Sequence, residues 1–136
     1  MKPDFTGTWQ LAAAASDFAF LKPPLFRVDV IEHSGSSVRI TTRQQDDNGD
    51  HTVVRELVIG AAEATPIDVL GRPRLYRANW DGDALVVSCE WVLSGKPRRL
   101  TDRWTLSTDG SVITIDRRHE VSGGPVRQRL VMQRGQ

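Results

Sequence analysis

The residues of this 136-residue sequence that could bind a charged molecule are arginines that strand alternation places beside an aspartate. A turn at Asp109-Gly110 sets Asp102 opposite Arg117, and the neighbouring hairpins bring Arg55 and Arg74 to the same inner face. A guanidinium binds a carboxylate or phosphate through two parallel hydrogen bonds. Three arginines against one aspartate leave surplus positive charge, which favours binding of an anionic group. A structural ion-pair network that fills the interior is the alternative.

Aromatic and apolar residues on the same predicted face could form the wall of a ligand pocket. These are Tyr76, Trp91, Trp104 and Met132, and His119 is expected near the open end. Inward-facing aromatics also form ordinary core, so packing without a ligand is the other interpretation.

The sequence predicts no metal site, no cofactor and no catalytic residue. A single cysteine, Cys89, cannot form a disulfide framework or a cysteine-based zinc site, and the three histidines fall on separate strands. The common nucleophile and phosphate-binding motifs are absent from the sequence. We therefore expect a non-enzymatic protein. The enzyme alternative is a small cyclase or isomerase in which Asp102, Arg117 and His119 steer proton transfer.

The charge balance of the chain argues against a nucleic-acid partner, and the partner expected from the lumenal residues is a small apolar or acidic molecule. The formal net charge is +1, although arginine supplies 15 of the 18 basic residues. A protein-interaction module on a basic outer face is a second alternative, and a monomer or homodimer is expected. The arginines expected on that face are Arg98, Arg99, Arg103, Arg118, Arg127 and Arg129.

Short, regular turn signals between alternating runs define the elements that must position these residues. Asn48-Gly49, Asp81-Gly82 and Asp109-Gly110 are typical hairpin turns. About eight to ten antiparallel strands in meander order predict an all-β, up-and-down barrel. A three-residue loop at 34–36 would turn Val28 and Val30 inward.

The two ends of the predicted barrel differ. Trp9, Trp80 and Arg134 collect at one end, which we expect to be a plugged floor. The segment 12–24 joins two strands at the other end and is expected to cover the mouth as a lid. Phe18 and Phe20 are its predicted plugs.

Three sequence motifs resemble those of the calycins. Phe5-Thr6-Gly7-Thr8-Trp9 is similar to the G-x-W strand that opens lipocalins and fatty-acid-binding proteins. A family of small bacterial lipocalin-like proteins has motifs similar to Trp80-Asp81-Gly82-Asp83 and to the run 101–107. The resemblance to this family extends over the whole chain. The resemblance implies that Trp9 packs against an arginine of the last strand, Arg134 or Arg129. It also implies a lumen that binds a small, mostly apolar ligand, with or without an acidic head group held by lumenal arginines.

The chain is expected to form a single domain over residues 1–136, without a membrane span. Met1-Lys2-Pro3 leads directly into the first strand and no export signal precedes it, which predicts a cytoplasmic protein. A periplasmic or secreted mature form is the alternative.

Overall fold

Ten β-strands form the protein in the computed structural model, which describes residues 2–121 and 124–135. Each strand is amphipathic with a period of two, as expected for a sheet with one buried face. The strands are β1 (Gly7–Leu11), β2 (Phe26–Ser34), β3 (Ser37–Asp46), β4 (Gly49–Val58), β5 (Thr65–Val69), β6 (Arg72–Asp81), β7 (Ala84–Leu93), β8 (Lys96–Leu106), β9 (Val112–Val121) and β10 (Gly124–Arg134).

The strands follow one another as an antiparallel meander that nearly closes into a barrel. Their order in the sheet is β4-β3-β2-β1-β10-β9-β8-β7-β6-β5, so pairing of β1 with β10 joins the two halves. The sheet ends at β4 and β5, and this interruption is called the seam below. At the floor end the seam is bridged by the amide of Gly60, which donates to the carbonyl of Ala78 at 2.8 Å. The all-β barrel prediction is confirmed.

Hairpin registers decide which residues enter the lumen. Asp102 lies opposite Arg117, as the sequence predicts. In the hairpins of β6–β7, β7–β8 and β9–β10 the predicted partners are displaced by two residues, which preserves the predicted inner and outer faces except at Arg98. The sequence predicts the β9–β10 turn at Gly123-Gly124, and Gly123 lies outside the described residues.

The predicted orientation of β2 is wrong. Ser34 pairs with Ser37 around a two-residue turn, where the sequence analysis assumed three residues. A difference of one residue exchanges the two faces of a strand. Val30 is therefore 41% exposed on the outside, whereas Arg27 and Asp29 enter the lumen and are buried.

The floor of the barrel is an aromatic cluster closed by an arginine. Trp9 is fully buried and its indole N–H donates to the carbonyl of Phe5 at 2.9 Å. The guanidinium of Arg134 lies 4.3 Å from the centre of the Trp9 ring and donates to the carbonyl of Thr6. Phe5 stacks on the half-buried Trp80, with ring centres 6.3 Å apart. The three residues expected at the floor, Trp9, Trp80 and Arg134, thus lie at that end.

The segment after β1 lies along the rim of the mouth. Asp17 forms a bridge with Arg129 of β10. Phe18 packs against the core, and its carbonyl accepts a hydrogen bond from Gln128 at 3.1 Å. Phe20 does not plug the mouth as expected: it is 80% exposed, because the chain turns at Ala19 with φ +56° and directs the next side chain to solvent.

Helical structure in the described residues amounts to one 3-10 turn, Ala13–Ala15. Within those same residues, no helix is long and apolar enough to cross a membrane.

Candidate ligand-binding site in the barrel lumen

A cavity of about 160 Å³ occupies the upper lumen, on the mouth side of the aromatic floor. One wall comes from β2 to β4 and the other from β5 to β9, so the cavity lies beside the seam. Its lining consists of Arg27, Thr42, Gln44, His51, Val53, Arg55, Val69, Arg74, Tyr76, Val87, Cys89, Leu100, Asp102 and Arg117.

Five of the nine residues predicted for ligand binding line this cavity. They are Arg55, Arg74, Tyr76, Asp102 and Arg117.

The other four predicted residues lie outside the cavity lining. Trp104 and Met132 are almost completely buried below it, where Trp104 meets the edge of Phe5 at the floor. Trp91 and His119 lie at the mouth, with ring centres 5.8 Å apart. The side chains of Trp104 and Met132 fill the lower half of the barrel. The open cavity is therefore smaller and more polar than the sequence predicts.

Two of the lumenal arginines are held by aspartates in bidentate pairs. Nε and Nη2 of Arg117 donate to the two carboxylate oxygens of Asp102 at 2.8 and 3.0 Å. Arg27 donates in the same manner to Asp29 at 3.1 and 2.9 Å. Both aspartates are almost inaccessible to solvent, which requires that their charges be compensated within the protein. Both oxygens of Asp102 are engaged, so this carboxylate is poorly placed to act as a proton acceptor.

The two other lumenal arginines lack a carboxylate partner of this kind. Nη2 of Arg55 donates to the hydroxyl of Thr42 at 3.0 Å. Arg74 lies over the ring of Trp91, 4.0 Å from its centre, and its buried Nε–H has no hydrogen-bond acceptor in the described part of the chain. A buried donor without an acceptor is unusual in proteins, and one explanation is a ligand that supplies the missing acceptor.

The pKa values of Arg55 and Arg117 shift in opposite directions. Burial alone would raise the pKa of Asp29, but the charge and hydrogen bonds of Arg27, together with the charge of Arg55, hold it below its usual value. Burial lowers the pKa of Arg55, and the charge of Asp29 opposes this only in part. For Arg117, the charge and hydrogen bonds of Asp102 outweigh burial and raise the pKa.

Neighbouring groups in the cavity are kept neutral. Burial raises the pKa of the Tyr76 hydroxyl, although the charges of Arg55 and Arg74 act in the opposite direction. Burial also raises the pKa of the Cys89 thiol, which therefore is not an activated nucleophile. Over residues 2–121 and 124–135, no group of three or more His, Cys, Asp or Glu side chains has the arrangement of a metal site.

The outer face is nearly neutral, unlike the lumen. Four of the arginines expected there form ion pairs across the sheet surface, of which Arg129 with Asp116, at 3.1 Å, is the shortest. The other three pairs are Arg99–Glu90, Arg103–Asp81 and Arg118–Glu120. Arg98 was expected outside but shares the inner face with Leu100 and Asp102 and lies at the mouth. The structure thus gives little support to a basic docking face.

Arg27 and Asp29 are the buried charged residues of the lumen that sequence reasoning missed. Their signal in the sequence is the pair Arg-x-Asp within a strand, since residues two apart share a face. The apolar Val28 and Val30 at the alternate positions gave a stronger but misleading signal.

Fold and site together define a ten-stranded antiparallel barrel with an aromatic floor and a charged cavity below its mouth. Neither a family profile nor a curated protein matches this sequence. Solved structures match over almost the full length, at identities so low that they establish the fold alone.

Three of these structures illustrate the likeness. The secretory abundant heat soluble protein 4 of Ramazzottius varieornatus has a TM-score of 0.73 at 11% identity, over 100% of this chain and 99% of its own. The zebrafish ileal bile acid-binding protein, complexed with cholic acid, has a TM-score of 0.67 at 13% identity, over 96% and 98%. The wild-type fluorescent protein UnaG has a TM-score of 0.61 at 17% identity, over 96% of this chain and 97% of its own.

Proposed function

We propose that this barrel binds a small molecule with an anionic group in its lumen and releases it unchanged. Arg55 and Arg74 hold the anionic group, and Tyr76 lies beside both. The observation that carries this proposal is the presence, on one cavity, of two guanidiniums that no aspartate neutralises in a bidentate pair.

The cost of burying positive charge is the physical argument. A buried cation that lacks a counter-charge lowers the stability of the folded protein, and a bound anion offsets that cost. Apolar side chains on the same cavity, Val53, Val69, Val87 and Leu100, provide contact for the uncharged part of the ligand. Asp102 and Arg117 complete the polar wall and orient one another.

The structural neighbours agree with this proposal in a general way. One of them, the zebrafish ileal bile acid-binding protein, was crystallised with cholic acid, an acidic small molecule. Its fold is shared by this chain, and a barrel interior that admits a ligand is therefore compatible with this architecture.

Calorimetric titration of the purified protein with benzoate tests the proposal, with the uncharged benzyl alcohol as the ligand control. We expect benzoate to bind to the wild-type protein. The double variant Arg55→Met, Arg74→Met should bind it about 10- to 100-fold more weakly, because each substitution removes hydrogen bonds to the charged carboxylate. The matched protein control is Arg103→Met, which removes an outward arginine paired with Asp81. Equal affinity of the double variant and the wild type would refute the proposal.

A further inference from the structure

The size of the cavity limits what can occupy it. Its volume is about 160 Å³, close to the roughly 150 Å³ of an engineered protein cavity that binds benzene. Trp104 and Met132 fill the barrel below, so a ligand cannot extend towards the floor. A ring-sized molecule fits this space, whereas the chain of a long fatty acid would have to extend out of the cavity towards solvent.

The charge balance of the lumen is the second constraint. Among the described residues, the cavity lining contains one aspartate, Asp102, and four arginines: Arg27, Arg55, Arg74 and Arg117. The second lumenal aspartate, Asp29, lies directly behind Arg27. Four positive and two negative charges leave a surplus of two. At the rim, Arg98 and Asp46 are half-buried and have opposite charges, so they do not alter this difference.

The two arginines that carry the surplus are within reach of one small ligand. The guanidinium of Arg55 lies 5.9 Å from the centre of the Tyr76 ring. Arg74 acts electrostatically on the same tyrosine and is held in place by stacking on Trp91. The unsatisfied Nε–H of Arg74 and the unsatisfied Nδ1 of His51 are both buried on this cavity. Arg55, Arg74 and His51 thus all present hydrogen-bonding groups to the same cavity.

From these constraints we infer that the ligand is a compact dianion: a ring-sized molecule with two negative charges shared between Arg55 and Arg74. This inference rests on the proposed function and makes it more specific. The shared chemistry is the double charge, which two carboxylates or one phosphate monoester would supply.

A series of ligands with the same ring tests the inference on the intact protein. The series is benzyl alcohol, benzoate, phthalate and phenyl phosphate, with charges of zero, one, two and two, titrated at about pH 8, where the phosphate is fully ionised. We expect one or both dianions to bind at least about tenfold more tightly than benzoate. We expect Arg55→Met and Arg74→Met each to remove that advantage, whereas Arg103→Met retains it.

The outcomes separate the two claims. Tighter binding of phthalate assigns the charges to two groups, and tighter binding of phenyl phosphate assigns them to one; either result supports a dianion. If benzoate binds and neither dianion binds more tightly, the dianion is refuted and the proposed function stands. If no anion binds more tightly than benzyl alcohol, the proposed function itself fails.

Discussion

Arginine side chains in the lumen are of two kinds, those fixed by an aspartate and those available to a ligand. Arg27 and Arg117 complete bidentate pairs and satisfy the buried carboxylates of Asp29 and Asp102. Arg74 stacks on an indole ring and retains an unsatisfied N–H. Removing one member of a buried pair strands a charge, whereas removing an unpaired charge relieves a cost. The two kinds should therefore respond oppositely to mutation.

For the paired kind, Arg117→Met leaves the carboxylate of Asp102 buried without its partner. We expect the free energy of unfolding in urea to fall by about 3 to 5 kcal/mol. The double variant Arg117→Met, Asp102→Leu should recover much of that loss, because both charges are then absent. A single variant as stable as Arg103→Met would show that the buried pair does not matter for folding.

For the unpaired kind, Arg74→Met should give a ligand-free protein with a Tm equal to or above that of the wild type. Methionine retains apolar contact with Trp91 and removes a charge that has no bidentate partner in the described structure. Differential scanning calorimetry measures this effect. A decrease in Tm as large as that of Arg117→Met would identify Arg74 as structural and would argue against its role in binding.

The turn between β8 and β9 contains a carboxyl group with an unusual titration. Side-chain hydrogen bonds from Ser111 and Ser107, followed by the amide of Ser111, lower the pKa of Asp109 to about 2. A lowered pKa in the folded state means that the stabilisation is present above the ordinary value of 3.8 and is lost as the pH falls towards about 2.

An NMR titration of the Asp109 carboxyl group checks this assignment. We expect Ser111→Ala and Ser107→Ala each to raise its midpoint towards the ordinary value, and Thr108→Ala in the same turn to leave it unchanged. A midpoint near 3.8 in the wild type would contradict the hydrogen-bonded turn.

At the scale of elements, β1 and β10 form the floor through one close approach. Gly7 has φ +150°, and a Cβ atom there would overlap the guanidinium of Arg134, which lies over Trp9. The glycine of the G-x-W motif thus adopts a backbone conformation that other residues rarely adopt and leaves room for the arginine.

Gly7→Ala should accordingly destabilise the protein through backbone strain and displacement of Arg134. We expect a loss of about 2 to 4 kcal/mol in the free energy of unfolding. Gly35→Ala, at φ +59° in an open turn, is the matched control and should cost only about 1 kcal/mol. Equal losses at the two sites would show that the contact with Arg134 is not the cause.

The elements differ in how well the sequence predicts them. The alternation of apolar residues and the turn dipeptides locate all ten strands, and the pairing of Asp102 with Arg117 follows from the turn between β8 and β9. The orientation of β2 does not follow, because Val28 and Val30 on the outer face resemble a buried set. Because the two faces of β2 are exchanged relative to the prediction, Arg27 and Asp29 are not predicted to enter the lumen, although they form one of its two bidentate pairs. The cavity is beyond sequence patterns too, since its volume depends on how Trp104 and Met132 pack.

At the scale of the whole molecule, the arginine-rich composition is divided between two surfaces. Outside, ion pairs such as Arg129–Asp116 neutralise much of the charge. Inside, the described residues keep two positive charges more than negative ones, beside the seam where β4 and β5, the two edges of the sheet, are not hydrogen-bonded to each other. A net charge near zero for the chain therefore conceals a positively charged interior.

The most direct test of anion binding in this interior is an NMR titration of the arginine side-chain N–H signals with benzoate. We predict that the Nε–H signals of Arg55 and Arg74 shift and saturate together, whereas those of the outward Arg103 and Arg127 do not move. Saturable shifts confined to the outward arginines, or no saturable shift of Arg55 and Arg74, would contradict a lumenal anion site.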